Sequence, residues 1–161
     1  MADRKEERAG LPSVLDRLLD DEPGLSVERP MTVRQLGEAL KDAVRRDLEN
    51  LLNRRRRPLE LPKGLGELEN SSFDYGIPDF SGANLSSKQK RQRYIKVIEG
   101  IIRRHEPRFS AVKVVPVESR ETGARTLHFR IEAILRTEPA PESVLYDSLV
   151  DVVTRSFRVQ I

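Results

Sequence analysis

The sequence predicts an α+β fold: two main helices packed on one face of a small antiparallel sheet of three to four strands, plus a short N-terminal helix. Two observations lead to this prediction. Apolar residues recur with helical spacing near residues 32–51 and 87–105. After residue 108 they alternate with polar residues, as expected for strands that bury one face. Helices laid over that face would bury both patterns together.

The amino-acid composition limits the kinds of protein that this sequence can form. Of the 161 residues, 34% are charged and 37% hydrophobic, and there is no Trp. This composition can form only a small hydrophobic core, so we expect contacts with partners to add to the stability of the domain. Without Cys, neither disulfides nor thiolate metal sites can form. No apolar run approaches the roughly 20 residues that span a bilayer, and the charged start lacks the apolar stretch of a signal peptide. We therefore expect a cytoplasmic protein with no membrane span.

The first 30 residues divide into two parts. Residues 1–10 are mostly charged and predict a disordered tail. Residues 11–30 predict a short helix and a linker, because four apolar residues precede a Glu-Pro-Gly stop; these are Val14, Leu15, Leu18 and Leu19. A helix this short is marginal alone. It should dock either on the domain itself or on a partner.

The first main helix is predicted to begin at Thr32, which forms a capping-box pattern with Gln35. It runs into the basic run 54–57 and ends before Pro58. Asp47 lies at the border of the apolar face, where a carboxylate needs a partner. Arg54, two turns further along, is one candidate for that partner.

A long connection follows the first helix. Residues 58–85 show little periodicity, but they contain the aromatic residues Phe73, Tyr75 and Phe80. Three rings are out of place in a solvated linker, so we expect an ordered loop held by them. A loop of this length without secondary structure is often functional.

The second main helix is predicted to start near Ser86 or Ser87 and to stop at about His105, because Pro107 disfavours helical backbone at Glu106. A carboxylate at a helix C-terminus opposes the helix dipole. Glu106 therefore needs compensation, either from Arg108 or from a cation of another chain. The guanidinium of Arg108 suits a carboxylate across an interface, although a purely local Glu-Arg bridge that shapes the corner remains an alternative.

Catalytic, metal and nucleic-acid sites find little support. The two histidines, His105 and His128, match no ligand or triad spacing, so we assign no catalytic residue, no metal and no cofactor. Asp47 and Glu106 are the only acids in unusual settings. They would be the carboxylate pair of a muramidase, but ion pairs explain them better. The basic runs 54–57 and 88–104 could meet phosphates, yet no aromatic-basic RNA signature accompanies them.

Six segments in order carry a family resemblance. They read "SVLDRLLDDEP", "VRRDLENLLNRRR", "FDYGIPDF", "IEGIIRRHEPRFSAVKV", "LHFRIEAIL" and "VLYDSLVD". Together they resemble the lysozyme-like family of baseplate wedge proteins found in contractile phages and in the bacterial type VI secretion system. The likeness covers about residues 11–161, with 31–161 as the family domain. The signature Glu106-Pro107-Arg108 is intact.

The resemblance implies a function and its partners. Members are structural, non-catalytic parts of a cytoplasmic baseplate with sixfold arrangement, and they need no cofactor. Glu106, Pro107 and Arg108 would face the helical core bundle built by other wedge subunits. The contractile sheath protein would be the second partner, whose first ring polymerises by strand addition to a sheet edge. The C-terminal "FRVQI" is the candidate edge. A muramidase and a basic nucleic-acid-binding module remain the alternatives.

Overall fold

The computed structural model describes residues 14–18, 23–24, 32–56, 64, 66–69, 71–79, 87–117, 126–137, 140–151 and 156–161. It confirms the predicted α+β fold of two main helices, a four-stranded antiparallel sheet and a short N-terminal helix. The predicted tail 1–10, most of the linker 11–30 and Phe80 lie outside the described residues.

The described elements follow in chain order. The helices are α1 (Val14–Leu18), α2 (Val33–Asn53), α3 (Gly66–Glu69) and α4 (Lys88–His105). A 3-10 turn spans Ser72–Asp74. The strands are β1 (Phe109–Pro116), β2 (Thr126–Leu135), β3 (Glu142–Asp151) and β4 (Phe157–Gln160).

Both main helices begin as their sequences predict. The Thr32 hydroxyl accepts from the Gln35 backbone N–H, and the Gln35 side chain accepts from the Thr32 N–H at 2.9 Å. The Ser87 hydroxyl caps α4 by accepting from the Lys90 N–H, without a reciprocal bond. Each cap satisfies backbone donors that the first helical turn leaves unpaired, so the starts of α2 and α4 are fixed locally.

The sheet is a simple meander in the order β1-β2-β3-β4, with every neighbouring pair antiparallel. One face of it carries the apolar residues of each strand, and Phe129, Ile131 and Tyr146 there are fully buried. The helices cover this face with side chains such as Leu48 and Ile98, which are also fully buried. Burial of one sheet face under two helices makes a two-layer domain, and the C-terminal end of α4 meets α2 and β1 at a single corner.

Candidate partner-binding site

The end of α4 is determined by Glu106. Its backbone N–H still donates to the Ile102 carbonyl at 2.9 Å, but its φ of −117° and ψ of 83° leave the helical region. The following proline imposes this conformation sterically, so the prediction that the helix stops at His105 is confirmed. Glu106 itself is only 4% exposed. A buried carboxylate is costly unless it is paired.

Arg108 supplies that pairing through one edge of its guanidinium, formed by Nε and Nη2. Its Nε donates to Glu106 Oε1 at 2.6 Å and its Nη2 to Glu106 Oε2 at 2.6 Å. The same Nη2 donates to Asp47 Oδ2 on α2 at 2.5 Å. We call Asp47, Glu106 and Arg108 the corner cluster. The structure therefore gives Asp47 a different partner from Arg54, the candidate expected from the sequence.

The base of the corner cluster is aromatic. The Tyr146 hydroxyl donates to the Lys41 carbonyl at 3.2 Å, and burial, followed by the nearby Glu106 carboxylate, raises the pKa of Tyr146. Burial by itself would lower the pKa of Arg108, but its hydrogen bonds to Glu106 and Asp47 raise it above its ordinary value. The guanidinium therefore stays charged inside the domain.

Two groups of the corner cluster keep hydrogen-bonding capacity that the cluster does not use. Arg108 Nη1 is buried and has no hydrogen-bond partner in the described part of the chain. The Asp47 side chain is 40% exposed. An orphaned buried donor costs free energy until something accepts from it. A partner could thus reach the cluster through the Asp47 carboxylate, with the exposed Pro107 beside Arg108, whereas Nη1 of Arg108 is covered by the domain itself. Both Glu106 oxygens are already engaged.

A second carboxylate cluster, which the sequence analysis missed, lies in the aromatic loop. Asp74 is 3% exposed. Its Oδ1 pairs with Arg56 Nε at 2.8 Å, and its Oδ2 accepts from Arg104 Nη1 at 2.8 Å. We call these three residues the loop cluster. The sequence signal that could have revealed this cluster is the position of Asp74, an acid between the aromatic residues Phe73 and Tyr75 in a loop expected to be ordered.

Backbone contacts also hold this loop. Gly76 has a φ of +111°, and a Cβ there would meet the Arg54 carbonyl oxygen at 2.5 Å. Ile77 exchanges hydrogen bonds with the chain after α2: its N–H donates to Arg54 O, and its carbonyl accepts from Arg56 N, each at 2.8 Å. These contacts, together with the loop cluster, join the ends of α2 and α4.

The rings take a smaller part in the loop than the sequence suggests. Tyr75 packs edge-on against His105, with ring centroids 5.5 Å apart. Phe73 is 37% exposed and so does not anchor the loop in the core. Burial, then the charges of Asp47 and Glu106, raise the pKa of Tyr75.

The two ends of the sheet differ in how their outer edges are covered. On β1, the Val114 N–H donates to Glu99 Oε2 at 3.0 Å, and the Val112 carbonyl accepts from Arg103 at 3.3 Å. Pro116 removes a further donor from β1. Side chains of α4 therefore close this edge against another strand.

On β4, the Asn53 amide accepts from the Phe157 N–H at 2.8 Å and donates to its carbonyl at 3.0 Å. The backbone N–H and C=O groups of successive residues point to opposite sides of a strand, so those of Val159 point the same way as those of Phe157. In the described part of the chain, no side chain caps the Val159 backbone. This is the more accessible of the two edges.

The other candidate sites are weaker. Among described residues, no group of three or more His, Asp and Glu could hold a metal ion. None of the described helices has the length and apolar character needed to cross a bilayer. Asp47 and Glu106 do come together, but both bind Arg108, so neither oxygen of the buried Glu106 is presented to a glycosidic bond. Some arginines of the basic runs already form ion pairs within the domain: Arg56 and Arg104 bind Asp74, and Arg103 binds Glu99.

Comparisons with known proteins give a family and a structural likeness. A family model described as baseplate wedge protein gp25 matches residues 38–140, which is more than half of the chain. No curated protein matches. A chain of a solved structure described as "The baseplate complex from the type VI secretion system" is 16% identical, with a TM-score of 0.46. That match covers 74% of this chain and 97% of the other.

Proposed function

Because the chain belongs to the baseplate wedge protein gp25 family, we propose that it is a structural, non-catalytic component of a type VI secretion baseplate. It joins the core bundle of the wedge to the first ring of the contractile sheath and primes sheath polymerisation. Family membership supports the baseplate role. The six sequence segments that resemble the wedge family support the type VI assignment. The cytoplasmic location and the sixfold arrangement are what that resemblance implies.

The corner cluster is the proposed contact with the core bundle, and the observation that carries this is the Asp47 carboxylate, whose side chain pairs with Arg108 and yet stays 40% exposed. A donor of a wedge subunit would reach the exposed side of Asp47, beside the Arg108 side chain, which is 20% exposed. Charge-assisted bonds of this kind are among the stronger polar contacts of an interface. Pro107 is exposed next to Arg108, and the two hydrogen bonds to Glu106 orient the Arg108 guanidinium.

The outer edge of β4 is the proposed contact with the sheath. An added strand would pair with the Val159 backbone, where affinity comes from main-chain hydrogen bonds. The closed edge of β1 supports this choice, because Glu99 and Arg103 already use its outward groups. Strand addition would thus be restricted to one end of the sheet. The substitution Val159→Pro removes the outward N–H and should reduce sheath assembly; because Val159 is also a core residue, circular dichroism must show that the variant is folded. Val114→Pro, at the closed edge, should destabilise the domain.

The test of the corner must separate binding from folding. Replacing Glu106 and Arg108 together by Met removes both charges and keeps similar side-chain volume, a change that is often close to neutral for stability. The matched control is Arg34→Met with Glu38→Gln, an exposed ion pair at the start of α2. Each variant is co-expressed with the complete set of baseplate subunits and recovered through a tag.

We expect the corner variant to keep its circular dichroism spectrum and to lose the wedge subunits, while the control keeps both. Recovery of wedge subunits by the corner variant at wild-type levels would refute the proposed contact. The enzyme alternative has its own assay: we expect no lysis of peptidoglycan suspensions. Lysis that Asp47→Asn abolishes would establish a muramidase instead.

A further inference from the structure

Asn53, the last residue of α2, contacts the outer edge of β4 as a residue of a neighbouring strand would. Its amide oxygen accepts from the Phe157 N–H at 2.8 Å, and its amide nitrogen donates to the Phe157 carbonyl at 3.0 Å. In an antiparallel pair, two opposed residues exchange the same two bonds. The amide nitrogen also donates to the Glu49 carbonyl of α2 at 2.8 Å, which fixes its direction. The Asn53 side chain therefore takes the place of one paired residue of an added strand.

This contact divides the outer edge of β4 into an occupied part and a free part. β4 pairs with β3 in the register Phe157↔Val150 and Val159↔Ser148. Because backbone groups alternate in direction along a strand, those of Phe157 and Val159 both point away from β3. Asn53 covers the first of these positions, and within the described ranges no side chain covers the second. A new strand therefore finds free donors and acceptors from Val159 onward.

The number of hydrogen bonds gained favours pairing at Val159 over pairing at Phe157. At Phe157 an incoming strand must break the two bonds of Asn53 before it forms two of its own. At Val159 it displaces only water, so each new bond contributes the net free energy of a hydrogen bond. A register that extends over Phe157 thus gains no more than one that begins at Val159.

The end of α2 also limits the space beside Phe157. An added strand would lie about 4.8 Å from β4, and at Phe157 the Asn53 side chain fills this space. The helix behind it is fixed, because the neighbouring Leu51 and Leu52 are only 2% and 0% exposed. Moving the end of α2 aside would expose these core side chains to water. The arrangement is that of a fixed stop, not of a latch that opens.

We propose that Asn53 sets the register of the sheath strand that joins β4, because it marks the position at which pairing begins. The strand pairs from Val159 onward and does not extend over Phe157. Asn53 acts as a positioning residue, since it directs the strand by occupying the adjacent position. This inference rests on the proposed contact between β4 and the sheath, but it assigns a role to a residue of α2 that the contact itself does not require.

The stop can be measured in the full chain alone by amide hydrogen exchange. Asn53→Ala removes both bonds to Phe157, so the Phe157 N–H should exchange on the order of tenfold faster. The matched control is Asn50→Ala, which removes an exposed amide one turn earlier on α2, on the side of the aromatic loop. It should leave the Phe157 rate unchanged. Circular dichroism checks that both variants are folded. An unchanged rate in Asn53→Ala would refute the stop.

The register is read with a photo-reactive residue, p-benzoylphenylalanine, in place of Gln160, which is exposed on the outer face of the sheet. The chain is co-expressed with the complete baseplate set and the sheath protein, and it is then irradiated. Mass spectrometry identifies the sheath residues that become cross-linked. With Asn53 intact, and in Asn50→Ala, we expect one group of positions. Asn53→Ala frees the edge at Phe157, so a second group should appear two residues away, because side chains on one face recur at every second residue.

The outcomes separate this inference from the proposed function. If the probe at position 160 gives no sheath cross-link with Asn53 intact, the sheath contact at β4 is refuted and the register role with it. A single, unchanged group of positions in Asn53→Ala would leave the sheath contact standing and overturn the role of Asn53. A second group in Asn50→Ala as well would assign the shift to a general disturbance of α2. Loss of every cross-link in a folded Asn53→Ala variant would show that Asn53 supports β4 and does not direct the strand.

Discussion

Two carboxylate–arginine clusters stand at the same end of this molecule, and they are built in opposite ways. In the loop cluster, one buried carboxylate is saturated by two arginines, Arg56 and Arg104, whose side chains are 35% and 38% exposed. In the corner cluster, one arginine is shared by two carboxylates, with a buried donor left over and the Asp47 carboxylate half exposed. The first arrangement is complete and joins three elements. The second has spare bonding capacity, as expected of a surface that a partner completes.

The largest expected effect comes from breaking the corner cluster asymmetrically. Arg108→Ala leaves Glu106 buried without its cation, which should lower the free energy of unfolding by about 3–5 kcal/mol. The double replacement of Glu106 and Arg108 by Met should cost far less, because no buried charge remains. Urea unfolding of the two variants measures the difference. Equal losses would mean that the corner contributes through packing rather than charge.

The next effect tests the backbone that carries the loop cluster. Gly76→Ala places a Cβ against the Arg54 carbonyl and forces a side chain into a positive-φ conformation, which should cost about 2–4 kcal/mol. Gly37→Ala is the matched control, because its Cβ would enter open space in α2. That change should stabilise the domain by about 0.5–1 kcal/mol. Thermal melts of the pair should shift in opposite directions.

A smaller effect on stability distinguishes the buried carboxylate of Asp74 from the partly exposed carboxylate of Asp47. Asp74→Asn keeps the shape of the loop cluster but removes the charge between two arginines, and it should cost about 1–3 kcal/mol. Asp47→Asn, in a side chain 40% exposed to water, should cost less than about 1 kcal/mol. Chemical denaturation gives both values. A larger loss at Asp47 would reverse the assignment of the loop cluster to folding.

The smallest expected effect concerns His105, whose ring packs against Tyr75 beside the loop cluster. Burial lowers its pKa below the usual 6.5, so the unfolded chain binds the proton more readily than the folded one. Stability is therefore fully present above about pH 6.5 and declines as the pH falls from there through the lower folded pKa. His105→Gln should flatten this part of the stability profile between pH 7 and 5. An unchanged slope would exclude His105 as its source.

Much of the fold could be predicted because the signals are local. The capping box at Thr32 and the proline after Glu106 act within a few residues, and strand alternation reports which face is buried. The need of Asp47 for a partner was visible for the same reason. The expected partner Arg54 was wrong because Arg54 is the C-cap of α2, with φ of −86° and ψ of 132°. Its side chain no longer follows the helical face on which Asp47 lies.

The clusters themselves could not be predicted, because they join residues that are far apart in the sequence. Arg108 reaches Asp47 across 61 residues, and Arg104 reaches Asp74 across 30. Burial of Asp74 depends on how the loop folds against both helix ends, which no single segment specifies. The local Glu106–Arg108 bridge was foreseen as an alternative to a partner contact. The geometry is compatible with both roles, since the bridge holds Arg108 against Asp47, whose side chain is 40% exposed.

The most direct measurement is the amount of wedge subunits that two variants retain when each is co-expressed with the complete baseplate set. One carries Met at positions 106 and 108 in the corner cluster, and the other carries Asp74→Asn in the loop cluster. We predict that the corner variant is folded and retains none, while the loop variant is less stable and retains the wild-type amount. Retention of wedge subunits by the folded corner variant would contradict the assignment of the corner to partner binding, whatever the loop variant retains.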